Sequence, residues 1–148
     1  MTDAAGPRQH VGLDMEVTSA PRPDDLAALG AALAAFNDAD VGPSGRLPLA
    51  VIARDGGGIV AGISGYTAWG WLYVQWLWVG EAYRGQGFAA RMLDAAEAEA
   101  RRRGCHGAHI DTFSPVALKI YRRCGYAPFG VLEDFPRGRD RTFLRKPL

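Results

Sequence analysis

The feature that most restricts the fold is a glycine-containing loop between two segments of different periodicity. Leu72 to Val79 is a short run that is apolar on both faces at Trp76-Leu77-Trp78-Val79, as expected of a central strand. Phe88 to Arg103 places its apolar residues on one stripe, as in an amphipathic helix. Between them, Gly85 and Gly87 let backbone N–H groups turn inward at the positive end of that helix. A strand, an anion-binding turn and a helix in this order predict an α/β chain that holds an anion, most simply a pyrophosphate, at the loop.

Two common phosphate-binding motifs do not fit this loop. It lacks the third glycine and the acidic residue about twenty positions on that mark a dinucleotide-binding unit. It also lacks the Gly-Lys-Ser/Thr sequence of a P-loop. Taken alone, the loop is equally compatible with an ordinary strand-to-helix turn that uses glycine.

The other segments follow from periodicity and turn residues. The hairpin signal Asp55-Gly56-Gly57-Gly58 joins two strand-like runs, and Ser114-Pro115 is a typical helix start. The order β-α-β-β-β-α-β-α-β-β predicts one α/β domain with a single mixed, mostly antiparallel sheet and helices on both faces. The predicted strands are 11–19, 49–54, 59–68, 72–79, 108–112, 126–132 and 141–144, and the predicted helices begin at Pro23, Phe88 and Pro115.

The length of 148 residues predicts one domain over residues 11–148, preceded by a disordered terminus at 1–10. No signal peptide is visible at the start, and the longest apolar stretch, Leu26 to Phe36, is too short to span a bilayer. We therefore expect a cytoplasmic protein that does not act at a membrane.

Charge and cysteine content exclude several kinds of partner. The formal net charge is +1, which provides no field that would attract nucleic acid. Cys105 and Cys124 lie 19 residues apart with no metal-binding spacing around them, so we expect no metal and two reduced thiols. On the amphipathic helix, Glu97 is expected on the polar face in an i, i+4 pair with Arg101.

A longer pattern carries a family resemblance. Arg84-x-x-Gly87-x-Ala89 follows the apolar strand, and Ser114-x-x-Ala117-x-x-Ile120-Tyr121-x-x-x-Gly125-Tyr126 follows the next short strand. This combination resembles the GNAT superfamily of acetyl-CoA-dependent N-acetyltransferases, from about Leu49 to the C-terminus. Two positions depart from the family pattern: Glu81 stands where many members have Pro, and Ser114 where many have Asn.

The resemblance implies a site for acetyl-CoA. Unpaired main-chain groups of the strand at Leu77, Trp78 and Val79 would bind the pantetheine arm as an added strand does. A main-chain N–H of the same strand would stabilise the oxyanion formed during acyl transfer. The pyrophosphate would lie on the loop, and the second helix start would contact the arm; the residues so implied are Arg84, Gly85, Gln86, Gly87, Phe88, Ala89, Ser114 and Ala117.

The resemblance also implies that Tyr121 is the general acid, a phenol that protonates the leaving thiolate. The alternative is that Tyr121 only packs against the sheet. For the general base we consider Asp111 first, then His109 on the same face of its strand, then Glu133, and a chain of water with no dedicated base remains open.

The expected reaction is direct transfer to a small-molecule amine, whose identity the sequence does not give. Trp76 and Glu133 are the candidate acceptor-binding residues, while most of the four tryptophans are expected in the core. Two other functions stay open, a non-catalytic acyl-CoA sensor and a toxin-like enzyme that acetylates aminoacyl-tRNA. A sheet edge near the C-terminus would also allow pairing into a homodimer.

Overall fold

The computed structural model describes residues 12–148, which fall into two compact units, one ending at Gly42 and one spanning Pro43–Leu148. The segment 1–10, expected to be disordered, and Val11 lie outside the described residues. Among residues 12–148, no helix combines the length and the apolar character that a membrane span requires.

The first unit contains helix α1 (Pro23–Val41), which begins at the expected proline and has Asp24 and Asp25 in its first turn. The strand predicted at 11–19 is wrong for its described part, because residues 12–19 pair with no other strand. A segment with alternating apolar residues forms a strand only where a neighbouring strand hydrogen-bonds to its N–H and C=O groups. The loop expected from Asn37 is also shorter, since α1 continues to Val41.

The second unit contains a six-stranded sheet and two helices. The sheet order is β1-β2-β3-β4-β6-β5, in which the β3–β4 pairing is parallel and all others are antiparallel. The predicted mixed, mostly antiparallel sheet is thus confirmed, with one strand fewer. The elements are β1 (Leu47–Asp55), β2 (Gly58–Ala68), β3 (Trp71–Val79), a 3-10 turn (Glu81–Tyr83), α2 (Phe88–Arg102), β4 (Gly107–Thr112), α3 (Pro115–Arg123), β5 (Ala127–Leu132) and β6 (Arg141–Pro147).

Strands β3 and β4 separate along their length. Their parallel pairing runs from Trp71 with Gly107 only to Val74 with Ile110. Beyond that point β3 stays paired with β2 across a bulge, because Gly65 pairs with Val74 and Ser64 with Trp76. A Cβ on Gly65 would lie 1.9 Å from the Tyr73 carbonyl oxygen, so this close approach requires glycine. The result is a gap in the sheet beside the second half of β3.

Both helices of this unit contribute to one core. Met92, Leu93 and Ala96 of α2 and Tyr121 of α3 are buried with the inward side chains of the strands. The expectation of helices on both faces therefore does not hold for α2 and α3, which pack on the same face of the sheet. The burial of Leu72 and Val74 on β3 confirms that this strand is central.

Two expectations about individual side chains are wrong. Glu97 does not lie on an exposed polar face: it is 1% exposed and accepts hydrogen bonds from the Tyr126 hydroxyl (2.9 Å) and from Lys146 Nζ (2.7 Å). Its expected ion pair with Arg101 is nevertheless present, at 3.8 Å. The tryptophans are mostly outside the core: Trp69, Trp76 and Trp78 are 49%, 69% and 52% exposed. Trp76 and Trp78 lie on β3 beyond Val74, the last residue of this strand that pairs with β4.

Candidate active site

A cavity of about 1110 Å³ lies where β3 and β4 separate. Its walls come from the second half of β3, the glycine loop, the start of α2, the end of β4 and helix α3. Of the residues singled out from the sequence, those that line it are Trp76, Leu77, Trp78, Val79, Arg84, Gly85, Gly87, Phe88, Ala89, Asp111, Ser114, Ala117 and Tyr121.

The glycine loop has the backbone that its sequence requires. Gly85 and Gly87 have φ of 72° and 79°, in the left-handed region that favours glycine. Gly87 is also the N-cap of α2, and no side chain caps this helix end. The first N–H groups of α2 therefore have no side-chain acceptor and are oriented to bind an anion at the positive end of the helix.

Two polar side chains of the loop point in different directions. Arg84 Nε donates to the Val79 carbonyl oxygen at 3.1 Å, which holds this cation at the cavity wall. Gln86 Nε2 donates to the Ala82 carbonyl oxygen at 3.0 Å, and Gln86 does not line the cavity. The Gln86 side chain thus serves the loop itself.

Helix α3 brings two predicted residues to the opposite wall. Ser114 Oγ accepts from the Ala117 N–H at 3.3 Å, so Ser114 is the expected N-cap. Tyr121 is 5% exposed and lines the cavity about two turns later on the helix. Burial, with smaller contributions from Asp111 and Cys124, raises the pKa of the Tyr121 phenol to about 12. The phenol therefore keeps its proton at neutral pH and is present there in its acid form.

Asp111 lies at the end of β4, where both of its carboxylate oxygens have partners. The Tyr73 hydroxyl donates to Oδ1 at 3.2 Å, and Arg141 donates to Oδ2 at 2.8 Å. Among the described lining residues, Asp111 is the one carboxylate. An acceptor group that approaches Asp111 would therefore compete with Tyr73 and Arg141 for the same two oxygens.

The other two candidate bases lie outside the cavity wall. His109 stacks on the Tyr73 ring with a centroid distance of 4.6 Å and does not line the cavity. Burial lowers the His109 pKa, although the nearby Asp111 opposes this. Glu133 is exposed and also does not line the cavity.

The cavity also contains basic residues, including some from runs that the sequence predicts mainly as solvated helix ends and loops, with binding of a cofactor phosphate or an anionic acceptor as the minor alternative. Lys119 and Arg123 lie one turn apart on α3, and Arg141 comes from β6. With Arg84 they place four cations against the single carboxylate of Asp111 among the described lining residues. A cavity of this charge attracts polyanions such as a nucleotide with several phosphates, although the whole chain is nearly neutral.

Two further observations concern the Cys124 thiol and possible metal ligands among the described residues. Cys124 lines the cavity, but burial raises the pKa of its thiol, which keeps it protonated. Residues 12–148 contain no group of three or more His, Cys, Asp or Glu side chains placed to hold a metal ion.

Comparison with known proteins agrees with this geometry. The model of the acetyltransferase (GNAT) family matches residues 15–126. The chain is a GNAT acetyltransferase. This GNAT acetyltransferase is 47% identical to an acetyltransferase of Agrobacterium fabrum over 115 residues, which is 77% of this chain and 84% of the relative.

A second relative has a more specific name. A blasticidin-S acetyltransferase of Streptomyces morookaense is 37% identical over 93 residues, covering 62% of this chain and 68% of that protein.

The crystal structure of an acetyltransferase from Agrobacterium tumefaciens has a TM-score of 0.88 and 39% identity, covering 92% of this chain and all of that one. The GNAT acetyltransferase described here is therefore an acetyl-transferring enzyme in a family that uses acetyl-CoA.

Proposed function

We propose that this GNAT acetyltransferase transfers the acetyl group of acetyl-CoA to the amine of a small molecule by direct attack. The observation that carries the proposal is the cavity itself. One space of about 1110 Å³ joins the glycine loop, the gap beside β3, the Tyr121 phenol and the Asp111 carboxylate. An acyl donor and an amine can meet there with a proton donor on one wall and a carboxylate on another.

Several features of the chain fit the acyl donor, which supplies a thioester. The N–H groups at Gly85, Gly87 and the first turn of α2 would hold the pyrophosphate. The main chain of Leu77, Trp78 and Val79 has no β4 partner and would bind the amides of the arm. Lys119 and Arg123 are placed for a further phosphate, and Ser114 retains a hydroxyl proton to donate to the arm.

The proposed chemistry needs no covalent enzyme intermediate. A neutral amine nitrogen forms the new N–C bond while the C–S bond breaks, and the electron pair leaves with sulfur. The Tyr121 hydroxyl gives its proton to that sulfur, and the nitrogen loses one to water or to Asp111. The N–H of Gln75, which has no register partner on β2 at the bulge, would be a donor for the developing oxyanion.

Asp111 remains our candidate base, although both of its oxygens already have partners, and water is the alternative acceptor of the amine proton. Replacement by Asn separates the two roles. If Asp111 accepts the proton, Asp111→Asn lowers kcat with little change in the acceptor KM. If it only orients the acceptor, the variant raises the acceptor KM and leaves kcat little changed.

The alternatives are weaker on specific grounds. The non-catalytic sensor does not fit an enzyme whose proton donor lies in the cavity. For aminoacyl-tRNA, the net charge of +1 offers little non-specific affinity. The relative that acts on blasticidin S favours a small amine, and that compound belongs in any acceptor panel. We place the reaction in the cytoplasm, where acetyl-CoA is made available to such enzymes.

The test is release of free thiol from acetyl-CoA with a panel of small amines that includes blasticidin S. We expect amine-dependent release and transfer of one acetyl group to the amine, seen by mass spectrometry. Tyr121→Phe should bind acetyl-CoA as the wild type does and lose most of the turnover. Binding of acetyl-CoA by the wild type with no amine-dependent release would contradict the proposal.

A further inference from the structure

The acceptor side of the cavity contains a preformed ion pair. Arg141 of β6 and Asp111 of β4 are joined at 2.8 Å, with side chains 22% and 15% exposed, and both line the cavity. Both residues belong to strands on the β4 side of the gap, whereas the glycine loop follows β3 on the other side. The pair therefore lies where the amine substrate, rather than the phosphates of the donor, is expected.

The guanidinium of Arg141 uses only part of its bonding capacity on the protein. Its one hydrogen bond among the described residues goes to Asp111, and its Nε is buried without a partner there. The rings of Phe135 and Phe113 lie 4.2 and 5.1 Å from the guanidinium carbon. The guanidinium has five N–H donors and uses one acceptor, Asp111, so it can donate further hydrogen bonds to another oxygen anion. Donors that stay buried without a partner lower the stability of the fold.

The charges of the pair limit which acceptors gain from binding there. An amine with a single positive charge is attracted by Asp111 and repelled by Arg141, which is equally close, so the two effects largely cancel. An acceptor that carries a carboxylate beside its amine has a group of opposite charge for each residue: its ammonium for Asp111 and its carboxylate for Arg141. A carboxylate also matches the planar fork of a guanidinium, which a neutral group does not.

From this juxtaposition we infer that Arg141 is a specificity-determining residue that binds a carboxylate of the acceptor, while Asp111 receives its amine. The acceptor is then an amino acid or a similar zwitterion, with one or two carbon atoms between amine and carboxylate. This inference rests on the proposed function and narrows its substrate class. The ion pair opens to admit the substrate, whose own two charges replace the internal partners.

The experiment compares matched acceptor pairs with the full-length protein and acetyl-CoA. Each L-amino acid and each simple β-amino acid is tested beside its carboxamide, which keeps the amine and lacks the negative charge. For the wild type we expect kcat/KM at least about tenfold higher for the acid of the best pair, the equivalent of one charge-assisted contact. Arg141→Gln should reduce that preference about tenfold or more, through a lower kcat/KM for the acid. Arg141→Lys should keep part of the preference.

Controls separate a loss of recognition from a loss of folding. Arg145→Gln changes an exposed arginine on the same strand and should leave the acid preference unchanged. The acetyl-CoA Kd and the Tm of each variant are measured in parallel, and Arg141→Lys is read in place of Arg141→Gln if the latter does not fold. Equal or better turnover of the carboxamides by the wild type overturns this inference and leaves the proposed function intact. Turnover with no amine of any kind contradicts the proposed function, and the inference with it.

Discussion

The Tyr83 hydroxyl donates a hydrogen bond to the Asp55 carboxylate, and this contact joins the turn between β1 and β2 to the segment that leads into the glycine loop. The Tyr83 ring also lies edge-on to Phe88, the first residue of α2, at a centroid distance of 6.0 Å. Tyr83 thus contacts elements on both sides of the loop that we assign to the pyrophosphate, and it lines the cavity. We expect it to position that loop.

Tyr83→Phe keeps the ring and removes the hydrogen bond. We expect the KM and Kd for acetyl-CoA to rise by roughly twofold to tenfold, because one bond to a charged, solvent-exposed acceptor is lost, with kcat unchanged. Thiol-release kinetics and calorimetry measure these constants. Asp55→Ala should have the same effect, and the double variant should be no worse than either single one. If Asp55→Ala binds normally while Tyr83→Phe does not, Tyr83 contacts the donor directly and the positioning role is refuted.

Tyr121→Phe should lower kcat by roughly ten- to a thousandfold, the usual range for loss of a positioned proton donor, with the acetyl-CoA Kd unchanged. A matched control is Tyr126→Phe, since Tyr126 is 2% exposed and its hydroxyl bonds Glu97 rather than facing the cavity. That variant should lose stability and keep kcat in the folded fraction. Equal kcat for the wild type and Tyr121→Phe would rule out proton donation by Tyr121.

The alkaline side of the pH profile tests the same residue in another way. The acid form of Tyr121 is the active one, and its pKa is raised from 10.0 to about 12, so the proton is retained through about pH 11. The profile of kcat should therefore rise as the acceptor amine loses its proton and then stay level, with no fall near pH 10. A falling limb near pH 10 that disappears in Tyr121→Phe would show that burial does not protect the phenol.

Gly87→Asp should reduce acetyl-CoA binding below detection. Nothing lies within 4 Å of an added Cβ, so the effect comes from a strained backbone at φ 79° and from a negative charge in the anion site. Gly104→Ala is the matched control, because Gly104 has φ 83° and follows the other end of α2. It should lower Tm and leave the Kd unchanged. Retained affinity in Gly87→Asp would show that the loop does not hold the phosphates.

Glu97→Gln should destabilise the fold by about 3 to 5 kcal/mol, because it removes the carboxylate that pairs with Lys146 Nζ at 2.7 Å and leaves that cation partly buried. Urea unfolding followed by tryptophan fluorescence measures this. Glu99→Gln, on the same helix, removes surface pairs with Arg102 and Arg103 and should change stability far less. A loss for Glu97→Gln no larger than that for Glu99→Gln would mean that the buried pair contributes little.

The parts of the molecule that the sequence predicted are those decided by local chemistry. The hairpin at Gly56–Gly57, the helix starts at Phe88 and Pro115, and the glycine loop each depend on residues within a few positions of one another. The strand at 11–19 was predicted from alternation alone and is absent from the described part of that segment. Periodicity shows which face of a segment is apolar but not whether another strand pairs with it.

The residues missed by sequence analysis depend on contacts between distant segments. Arg141 and Asp111 are 30 residues apart, Tyr83 and Asp55 are 28 apart, and Lys146 and Glu97 are 49 apart. Glu97 was placed on the polar face of α2 because helical spacing alone does not show that Lys146 and Tyr126 cover that face. Predicting that Arg141 lies near Asp111 would have required the antiparallel register of β4 with β6, which the sequence does not show.

Four residue pairs of β3 and β4 are all that join strands β1–β3 to strands β4–β6 within the sheet. The binding of a donor beyond Val74 would add contacts between the two halves of the sheet to those that the shared core already makes. Because a ligand that binds only the folded state stabilises that state, we expect the protein to resist unfolding and proteolysis better when its donor is abundant.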